Sequence, residues 1–595
     1  MSEHKNCKQC RKDFIVEDED LKFYDRISPT FAPPASAGAE ALRAGGKKYQ
    51  IPSPTLCPDC RQQRRIVFRN DRNLYKRKVE GSDKEAVSMH SPDAPFTVFN
   101  PKKWWSDEWD GISYGREYDF SKSFFDQFNE LLKVVPKIAM ITKNSEDSEY
   151  SMYSSDLKNC YLIFSALSSE DCQYGFQCNW SNDSMDVAYL YDSELCYQAI
   201  DSRKCYSSKF IQNCDNCSNV SFSFGCRSCK NCYLCTNLVN KEYCFENEQL
   251  IKDEYEKRMA EVKWTYSEVE KTKKILSEKV KKCIHVYSHL FNCEDCTGDY
   301  LRECKNCKSC YDLPKSEDAK YIWTGIKLDN CMDCSFAGND SEFSLECLSL
   351  FPGLSCFSCV YAWDSSRLYY SDYCFGCKDC FGCAGLRNKQ YCILNKQYTR
   401  EEYEEKVGKI IEKMMATPLR QGFEGQVEWG EFFPVALSPF GYNISLANEY
   451  YPMSKDEALK YGATWQDNDY SQEYTGDFIV PNEDINFYKN NTEEVKRLLD
   501  GIIKCEVSGK PFKIMPQELV FYIKNNLPVP RKRFDVRHNE RFAMRNPRKL
   551  YHRECMCKES GHNHEGKCKV EFETTYAPEH SEKIYCESCY QKSVI

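Results

Sequence analysis

Regular hydrophobic periodicity is confined to short stretches of the chain. After Ser123, apolar residues recur at helical spacing as far as Pro136, and Ser123 with Asp126 forms a capping-box pattern, so an amphipathic helix is predicted. Residues 253–282 are polar on every side, which predicts one long charged helix that bridges other elements instead of entering a core. Because no run of 18 apolar residues occurs, we expect no membrane-spanning helix.

The middle of the chain is a duplicated cysteine repeat. Residues 226–247 match residues 374–395 at a shift of 148, and both copies run into a charged helical segment. Within each copy the cysteines recur at nine residues or a multiple of nine, with Asn, Ser, Gly and aromatic residues between them. A short fixed period is typical of the stacked turns of a β-solenoid, with one side chain per turn repeating inward. Since strict apolar alternation is absent, a string of small irregular zinc knuckles is the alternative.

The two ends of the chain are copies of one unit. A shift of 476 places residues 57–77 on residues 533–553, and upstream of this match the shift becomes 498. The difference is an insertion of 22 residues in the N-terminal copy around residues 31–46, whose Ala, Pro and Gly content predicts a loop. Downstream, a shift of 486 aligns residues 88–100 with residues 574–586, mostly by residue type. Each copy therefore derives from a unit with two cysteine sites.

Composition sets the chemistry to expect. Of the 595 residues 38 are cysteine, although a chain of roughly three to five domains can bury its cores without disulfides. The first residues are polar and no apolar segment follows, so we expect no signal peptide and a cytoplasmic, reducing setting. In that setting thiolate–metal sites are favoured over disulfides.

Two sets of residues have the spacing of zinc ligands. The N-terminal set is Cys7, Cys10, Cys57 and Cys60, which form two C-x2-C pairs. The predicted C-terminal set is Cys557, Cys568, Cys586 and Cys589, with Cys555 as the alternative partner and His562 or His564 as an alternative ligand. Because four thiolates surround zinc tetrahedrally and leave no open position, we expect about two structural zinc ions.

Each end has kept one of its two ancestral sites. The N-terminal copy has Val79 and Asn100 where thiols of the second site would lie. The C-terminal copy has Ser508, Arg533 and Val536 in its first site. The duplication therefore predicts one metal site at each end of the chain.

The central cysteines allow three interpretations. Residues 226–235 and 374–383 both run C-x2-C-x2-C-x2-C, but neither has the C-x3-C-P ending of bacterial ferredoxins, which disfavours an iron–sulfur cluster. A zinc site could use the C-x2-C-x7-C-x2-C residues Cys293, Cys296, Cys304 and Cys307, beside His285 and His289. By default, these cysteines are small side chains buried inside the repeat.

Rows of arginine follow the cysteines of both terminal copies. They are Arg61, Arg65, Arg69 and Arg72 in one copy and Arg537, Arg541, Arg545 and Arg548 in the other. If these segments are helical, the spacing of four, four and three places each row on one face. Beside Tyr75 and Tyr551, such rows suit phosphate contacts and base stacking, which predicts binding to RNA or a ribonucleoprotein. Because the net charge is −9, the alternative is that the rows pair with the protein's own acidic surface.

Several sequence blocks resemble a known family. The blocks CPDCRQQRR, WWSDEWDGISYGREYDFSKSFFDQF, NKEYCFEN and RNPRKLYHRECMC are similar to those of uncharacterised cysteine-rich zinc-ribbon proteins of candidate-phyla bacteria with reduced genomes. The resemblance covers nearly the whole chain. It implies zinc binding and a cytoplasmic bacterial setting, and it implies no activity. Members of that family often keep thiols where this chain has Ser508, Arg533 and Val536, which argues against a third zinc site here.

The predicted fold is mainly β with helices, a two-copy β-solenoid-like centre flanked by duplicated zinc-ribbon units. The predicted domains are a zinc ribbon with an Arg-rich helix (1–78), a degenerate second ribbon with an amphipathic helix (79–143), repeat copy 1 (144–252), a helical bridge (253–282), repeat copy 2 with a terminal helix (283–416), an aromatic, turn-rich segment (417–500) and the C-terminal unit (501–595).

The predicted function is a non-enzymatic, zinc-binding scaffold that associates with RNA or a ribonucleoprotein through the arginine rows. No catalytic motif supports an enzyme, since HExxH, GxSxG, a Walker glycine loop and a post-strand GxGxxG are all missing from the sequence. The alternative is a structural rod that binds protein partners on the faces of the repeat and has no nucleic-acid role.

Overall fold

The computed structural model describes residues 2–31, 46–338, 340–420, 422–470 and 474–594. The loop predicted around residues 31–46 therefore lies, between residues 32 and 45, outside the described residues. The fold is mixed α/β, with many parallel strands and clusters of cysteine. No helix in the described ranges is long and apolar enough to cross a membrane.

The chain forms two compact units, and each unit joins stretches that are distant in sequence. Unit 1 consists of Met1–Met140 and Ser288–Asp469. Unit 2 consists of Ile141–Tyr287 and Tyr470–Ile595. The N-terminal copy of the terminal unit thus folds with the second copy of the repeat, and the C-terminal copy folds with the first.

Unit 1 combines short helices with a long series of short strands. Its α-helices are Asp18–Ile27, Pro58–Ile66, Pro101–Trp105, Phe124–Val134, Arg400–Ala416, Leu446–Tyr450 and Lys455–Lys460, with 3-10 turns at Gly111–Tyr114, Val435–Leu437 and Tyr442–Ile444. Its strands are Glu3–Asn6, Asp13–Val16, Thr30–Phe31, Lys47–Lys48, Tyr75–Arg77, Ala86–Ser88, Val98–Phe99, Lys137–Ile138, Leu290–Phe291, Gly298–Arg302, Cys310–Pro314, Trp323–Gly325, Leu328–Asp329, Ser335–Ala337, Ser341–Glu342, Gly353–Leu354, Val360–Trp363, Ser365–Tyr369, Asp372–Phe375, Lys378–Phe381, Gln390–Ile393 and Lys396–Gln397.

Unit 2 likewise combines helices with a long series of short strands. Its α-helices are Lys252–Glu261, Tyr266–Lys282, Thr492–Asp500, Pro516–Lys524, Phe534–Ala543 and Glu587–Val594, with a 3-10 turn at Ile485–Tyr488. Its strands are Thr142–Lys143, Ser154–Ser155, Tyr161–Phe164, Gln173–Asn179, Ala188–Tyr191, Tyr197–Arg203, Lys209–Gln212, Ser218–Phe224, Lys230–Tyr233, Glu242–Phe245, Glu248–Gln249, Ile284–Val286, Phe478–Ile479, Ile502–Lys504, Pro511–Phe512, Tyr551–Glu554, Glu571–Thr574 and Lys583–Tyr585.

The strands of the cysteine repeat pair in parallel, at a register of 12 residues in unit 2 and at most steps in unit 1, where Leu290 pairs with Leu301 and Leu328 pairs with Ser341. In unit 2, Phe176 lies beside Ala188, which lies beside Ile200. In unit 1, Lys378 lies beside Gln390 at the same spacing. The predicted nine-residue turn is therefore wrong, because residues nine apart do not stack on one another.

A three-residue pattern explains both the register and the cysteine spacing. Every third residue has a positive φ, for example 50° at Asn159 and 52° at Leu162. The residue that follows each of them points inward, so that Cys160 and Ile163 are only 2% and 0% exposed. Four inward positions thus make one 12-residue repeat, and cysteines nine apart occupy different positions of it. Asn and Asp tolerate positive φ better than other residues with side chains, which accounts for their abundance in the repeat.

The two terminal copies fold with the same strand register. Asn6 faces Asp13 in unit 1 and Lys504 faces Pro511 in unit 2, as the shift of 498 requires. Further along, residue 75 faces residue 88 and residue 551 faces residue 574, in agreement with the shifts of 476 and 486.

Two helix predictions have different outcomes. The helix predicted after Ser123 is present as Phe124–Val134, with the Ser123 hydroxyl accepting a backbone hydrogen bond at its start. The single charged helix predicted at 253–282 is wrong, since two helices, Lys252–Glu261 and Tyr266–Lys282, occupy this stretch. The break between them contains Trp264, whose ring packs 5.7 Å from that of Phe222 in the repeat.

Candidate metal centres

The first centre lies where the N-terminal hairpin meets the start of a helix. Cys7 directly follows strand Glu3–Asn6, and Cys57 precedes helix Pro58–Ile66 as its N-cap. The sulfur atoms of Cys7, Cys10, Cys57 and Cys60 all lie within 4.8 Å of one another, so the structure brings the four predicted ligands together. Such a group could hold a metal ion.

The backbone around the first centre favours a negatively charged sulfur. The amide of Cys57 donates to Sγ of Cys7 at 3.2 Å, and Sγ of Cys10 lies 3.7 Å from Sγ of Cys57. Hydrogen bonding from Cys60 lowers the pKa of the Cys57 thiol to about 5, and the same interaction raises the pKa of Cys60. A bound divalent cation would displace the remaining thiol protons.

The second centre lies between the last hairpin and the last helix of the chain. The sulfur atoms of Cys555, Cys568, Cys586 and Cys589 lie within 4.8 Å of one another, and all four residues are buried. The amide of Cys586 donates to Sγ of Cys555 at 3.2 Å, which repeats the bond between Cys57 and Cys7 in the first centre. Burial raises the pKa of the Cys555 thiol to about 11.

Cys557 was predicted as a member of this four-cysteine group, but the structure places Cys555 there. Sγ of Cys557 lies 3.1 Å from Nδ1 of His562 instead, and the carbonyl of Cys557 accepts the amide hydrogen bond of Cys568. A second group is formed by Cys557, His562, His564 and Cys589, again within 4.8 Å. Spacing alone could not choose between Cys555 and Cys557, because two cysteines separated by one residue reach the same neighbourhood.

The eroded sites keep their backbone geometry without their ligands. In unit 2, Sγ of Cys505 accepts hydrogen bonds from the amides of Ser508 at 3.5 Å and Arg533 at 3.4 Å. In unit 1, the side chain of Asn100 caps helix Pro101–Trp105 by accepting from the amide of Lys103 at 2.7 Å. Hydrogen bonds are therefore found in each unit at the place where the other unit has a complete four-cysteine group.

The central cysteines serve as core side chains. The central cysteines are the 28 from Cys160 to Cys392, and 25 of them are buried. All 38 cysteines of the chain are free thiols. Their thiols donate to backbone carbonyls, as when Cys172 Sγ lies 3.4 Å from the oxygen of Glu170 and 3.3 Å from that of Ser181. Burial raises the pKa of the Cys196 thiol to about 12, which disfavours the reactive thiolate.

Within the described ranges, the metal-binding groups contain none of the central cysteines. Cys293, Cys296, Cys304 and Cys307 therefore form no such group, although the sequence allowed a zinc site there. His289 contacts Asp299 through Nδ1 at 2.8 Å, and Nδ1 of His285 lies 3.1 Å from the hydroxyl of Tyr576. Both histidines are thus engaged with other partners.

The arginine row of unit 1 is buried against the acidic residues of its own repeat. Arg61 and Arg65 are 3% and 0% exposed. Arg61 lies 2.9 Å from Asp333, and Arg65 lies 2.9 Å from Glu346 and 3.4 Å from Asp333. Helix Pro58–Ile66 carries these two arginines, and the row continues beyond its end, where Arg69 contacts Ser349, and Arg72 contacts Glu449.

The arginine row of unit 2 repeats this arrangement. Arg537 and Arg541, on helix Phe534–Ala543, lie 2.6 and 2.9 Å from the two carboxylate oxygens of Asp186. Beyond the helix, Arg545 lies 2.9 Å from Asp201, and Arg548 contacts the hydroxyl of Tyr189.

The eight arginines predicted to bind nucleic acid therefore contact other residues of the protein. Seven of them expose 8% or less of their residue or side-chain surface, and Arg72 exposes 19% of its side chain. The prediction of an RNA surface overlooked burial, because a sequence shows the charge of a row and not what covers it. The alternative, that the rows pair with acidic groups of the protein itself, is confirmed by these ion pairs.

Comparison of the chain with models of known protein families finds no match, and comparison with curated proteins finds none either.

Proposed function

We propose that this protein is a non-enzymatic structural scaffold of the bacterial cytoplasm, in which two β-solenoid repeats are each fastened to a zinc-bearing terminal unit. The observation that carries the proposal is that arginines of both rows form buried ion pairs with acidic residues of the repeat. In each unit, buried guanidinium groups bind carboxylates that project from the repeat, as Arg65 does with Glu346 and Arg541 with Asp186. Such pairs fix the position of the terminal helix on the repeat.

Zinc is the ion that best suits the four-cysteine groups. Four thiolates supply soft ligands and a tetrahedral set, and they leave no position for water or substrate. The groups Cys7–Cys10–Cys57–Cys60 and Cys555–Cys568–Cys586–Cys589 both have this composition. A closed shell of this kind holds loops together and provides no open coordination position for catalysis.

The 12-residue register supports a solenoid interpretation of the repeat. Parallel pairing continues from Tyr161 to Phe245 in unit 2, and inward serines connect successive turns, as when the hydroxyl of Ser193 accepts from the amide of Cys205. Stacked turns of this type present flat, repetitive faces, and protein partners are the class of ligand that such faces suit.

The test combines metal content with nucleic-acid binding. Purified protein is expected to contain at least about two zinc ions per chain, and chelation should lower its melting temperature. In a low-salt mobility-shift assay it should not retard RNA, because the arginine rows are occupied. A folded protein without zinc would contradict the scaffold proposal, as would salt-dependent RNA binding at a Kd tighter than about 1 μM.

A further inference from the structure

The hairpin loop of the C-terminal unit differs in length from its counterpart. Arg77 faces Ala86, nine positions away, in unit 1, whereas Arg553 faces Phe572, 19 positions away, in unit 2. The longer loop contains Cys557, both neighbouring histidines and Cys568. Its stretch from residue 558 to residue 567 contains only polar, charged and glycine residues. Hydrophobic burial therefore cannot be what orders it.

The ring nitrogens of His564 are arranged as in a metal ligand. Nδ1 lies 3.0 Å from the carbonyl oxygen of Gly566, and since a carbonyl only accepts, Nδ1 carries the proton. The lone pair of the neutral ring is then on Nε2. This atom is buried and, among the residues that the structure describes, has no hydrogen-bond partner. An unpartnered buried acceptor in a polar loop indicates a missing ligand.

His562 is oriented in a complementary way. Its Nδ1 lies 3.1 Å from Sγ of Cys557, and its Nε2 lies 3.5 Å from a carboxylate oxygen of Glu559. A histidine that binds metal through one nitrogen commonly donates its other N–H to a carboxylate or a carbonyl, which fixes the ring. Both histidines of this loop have such an outer partner.

We propose that Cys557, His562, His564 and Cys589 bind a second zinc ion in the C-terminal unit, with the thiolate of Cys589 shared between this ion and that of the four-cysteine group. The four ligand atoms already lie within 4.8 Å of one another, and Cys589 belongs to both groups. The inference rests on the proposed zinc chemistry of the four-cysteine group and adds a metal ion of a different ligand type.

The burial of the two sulfur ligands favours a bound cation at this group. Cys557 is 0% exposed and Cys589 is 3% exposed, so their thiolates are expensive to bury without cations. The second ion also adds cross-links to a polar loop whose other contacts are hydrogen bonds, such as those of Glu559 with Tyr585 and of Asn563 with Lys592.

The experiment measures zinc per chain on the full-length protein by elemental analysis. The wild type is expected to hold about three zinc ions, one in unit 1 and two in unit 2. The double variant His562→Gln/His564→Gln should hold about two, because only the mixed site loses ligands. His580→Gln, at an exposed histidine outside both groups, is the matched control and should still hold about three.

Cobalt substitution identifies the ligand type independently. The absorption bands of the wild type should contain a component of a mixed sulfur–nitrogen field, and the double variant should retain only the all-sulfur component. About two zinc ions in the wild type, with no loss in the double variant, would overturn the second ion and leave the scaffold proposal intact. A wild type without zinc would overturn both, and the wild-type count decides even where the variant does not fold.

Discussion

The two units use different chemistry to hold the same turn. In unit 1 the amide of Cys57 donates to Sγ of Cys7 at 3.2 Å within a complete four-cysteine group. In unit 2 the equivalent amide of Arg533 still donates to Sγ of Cys505 at 3.4 Å, although Ser508 has replaced a second thiol. The sulfur atom therefore has a role as a hydrogen-bond acceptor that persists where the other thiols of the group are absent.

At the second site the relation between the units is reversed. Unit 2 keeps Cys586 and Cys589 there, and unit 1 has Asn100 and Lys103 in their places. The Asn100 side chain accepts from the amide of Lys103 and donates to the carbonyl of Gly81. An ordinary helix cap thus stands where unit 2 has a four-cysteine group, while the surrounding strands keep their register.

The arginine rows are what the units have in common. The Arg69 guanidinium lies 3.7 Å from the centre of the Phe336 ring, and that of Arg545 lies 3.7 Å from the Tyr189 ring. Both units have this contact, whereas each has kept a different one of the two cysteine sites. The arginine contacts are therefore the shared feature of the terminal units, and the cysteine sites are the feature that varies.

The largest expected difference between the units concerns the first site. Cys57→Ser should remove one zinc ion and destabilise unit 1 by more than about 5 kcal/mol, since a structural zinc site contributes its binding energy to folding. Cys505→Ser, at the position of unit 2 that corresponds to Cys7 of the same four-cysteine group, should leave the zinc content unchanged and cost less than about 2 kcal/mol, the scale of a lost hydrogen bond. Zinc analysis with urea unfolding measures both, and equal effects would contradict the comparison.

The buried ion pairs of the arginine rows provide the second difference. Asp186 binds both Arg537 and Arg541. Asp186→Asn removes the carboxylate that Arg541 contacts and leaves Arg537 with Glu518 at 3.3 Å, so it should cost about 3–5 kcal/mol. Asp333→Asn in unit 1 should cost less, about 1–3 kcal/mol, because Glu346 remains 2.9 Å from Arg65.

The control for this pair of variants is an exposed carboxylate of the same repeat. Asp192 pairs with Arg203 at the surface, where Asp192→Asn should change the free energy of unfolding by about 0–1 kcal/mol. Denaturant unfolding followed by circular dichroism ranks the three variants. If Asp333→Asn lowers the free energy of unfolding more than Asp186→Asn does, Glu346 does not compensate for the loss of Asp333 in unit 1.

Acid should affect unit 1 through His90. Burial, with nearby Lys137 and Arg77, lowers the pKa of His90 well below 6.5, so the folded protein keeps this ring neutral. The unfolded chain takes up a proton below about pH 6.5, and stability therefore falls as the pH drops through that value. From pH 7 to pH 5 the loss at this residue is about 2 kcal/mol.

The measurement compares the wild type with His90→Phe. The ring of His90 packs 5.3 Å from that of Phe440 and 5.0 Å from that of Phe96, so phenylalanine suits the site. The variant should lose this part of the pH dependence in unfolding experiments at pH 5 and pH 7. An unchanged pH dependence would show that His90 is not the group that responds.

Local patterns in the sequence predicted local structure well. The helix after Ser123 followed from apolar spacing and one cap, and the thiols of Cys7, Cys10, Cys57 and Cys60 followed from two C-x2-C pairs. Each of these depends on residues within a turn or on ligand chemistry that permits few arrangements.

Long-range structure was beyond the same reasoning. Asp333 is 272 residues from Arg61 and Asp186 is 351 residues from Arg537, so nothing near either row indicated its partner. The register was also hidden, because inward positions accept Ser, Ala, Val, Leu and Ile as well as Cys, as at Ser193 and Ile163. The spacing of the cysteines therefore revealed only some of the inward positions in each 12-residue repeat.

The smallest expected effect tests the helix cap that replaces metal in unit 1. Asn100→Ala removes both the bond from the Lys103 amide and the bond to the Gly81 carbonyl, and should cost about 1 kcal/mol, the usual value of an N-cap. Asn100→Asp keeps the acceptor for the cap and loses only the donor, so its cost should be smaller. Urea unfolding of the two variants separates these contributions. If Asn100→Ala costs as much as Cys57→Ser, a single side chain holds this turn as firmly as a metal ion, and the distinction between the units disappears.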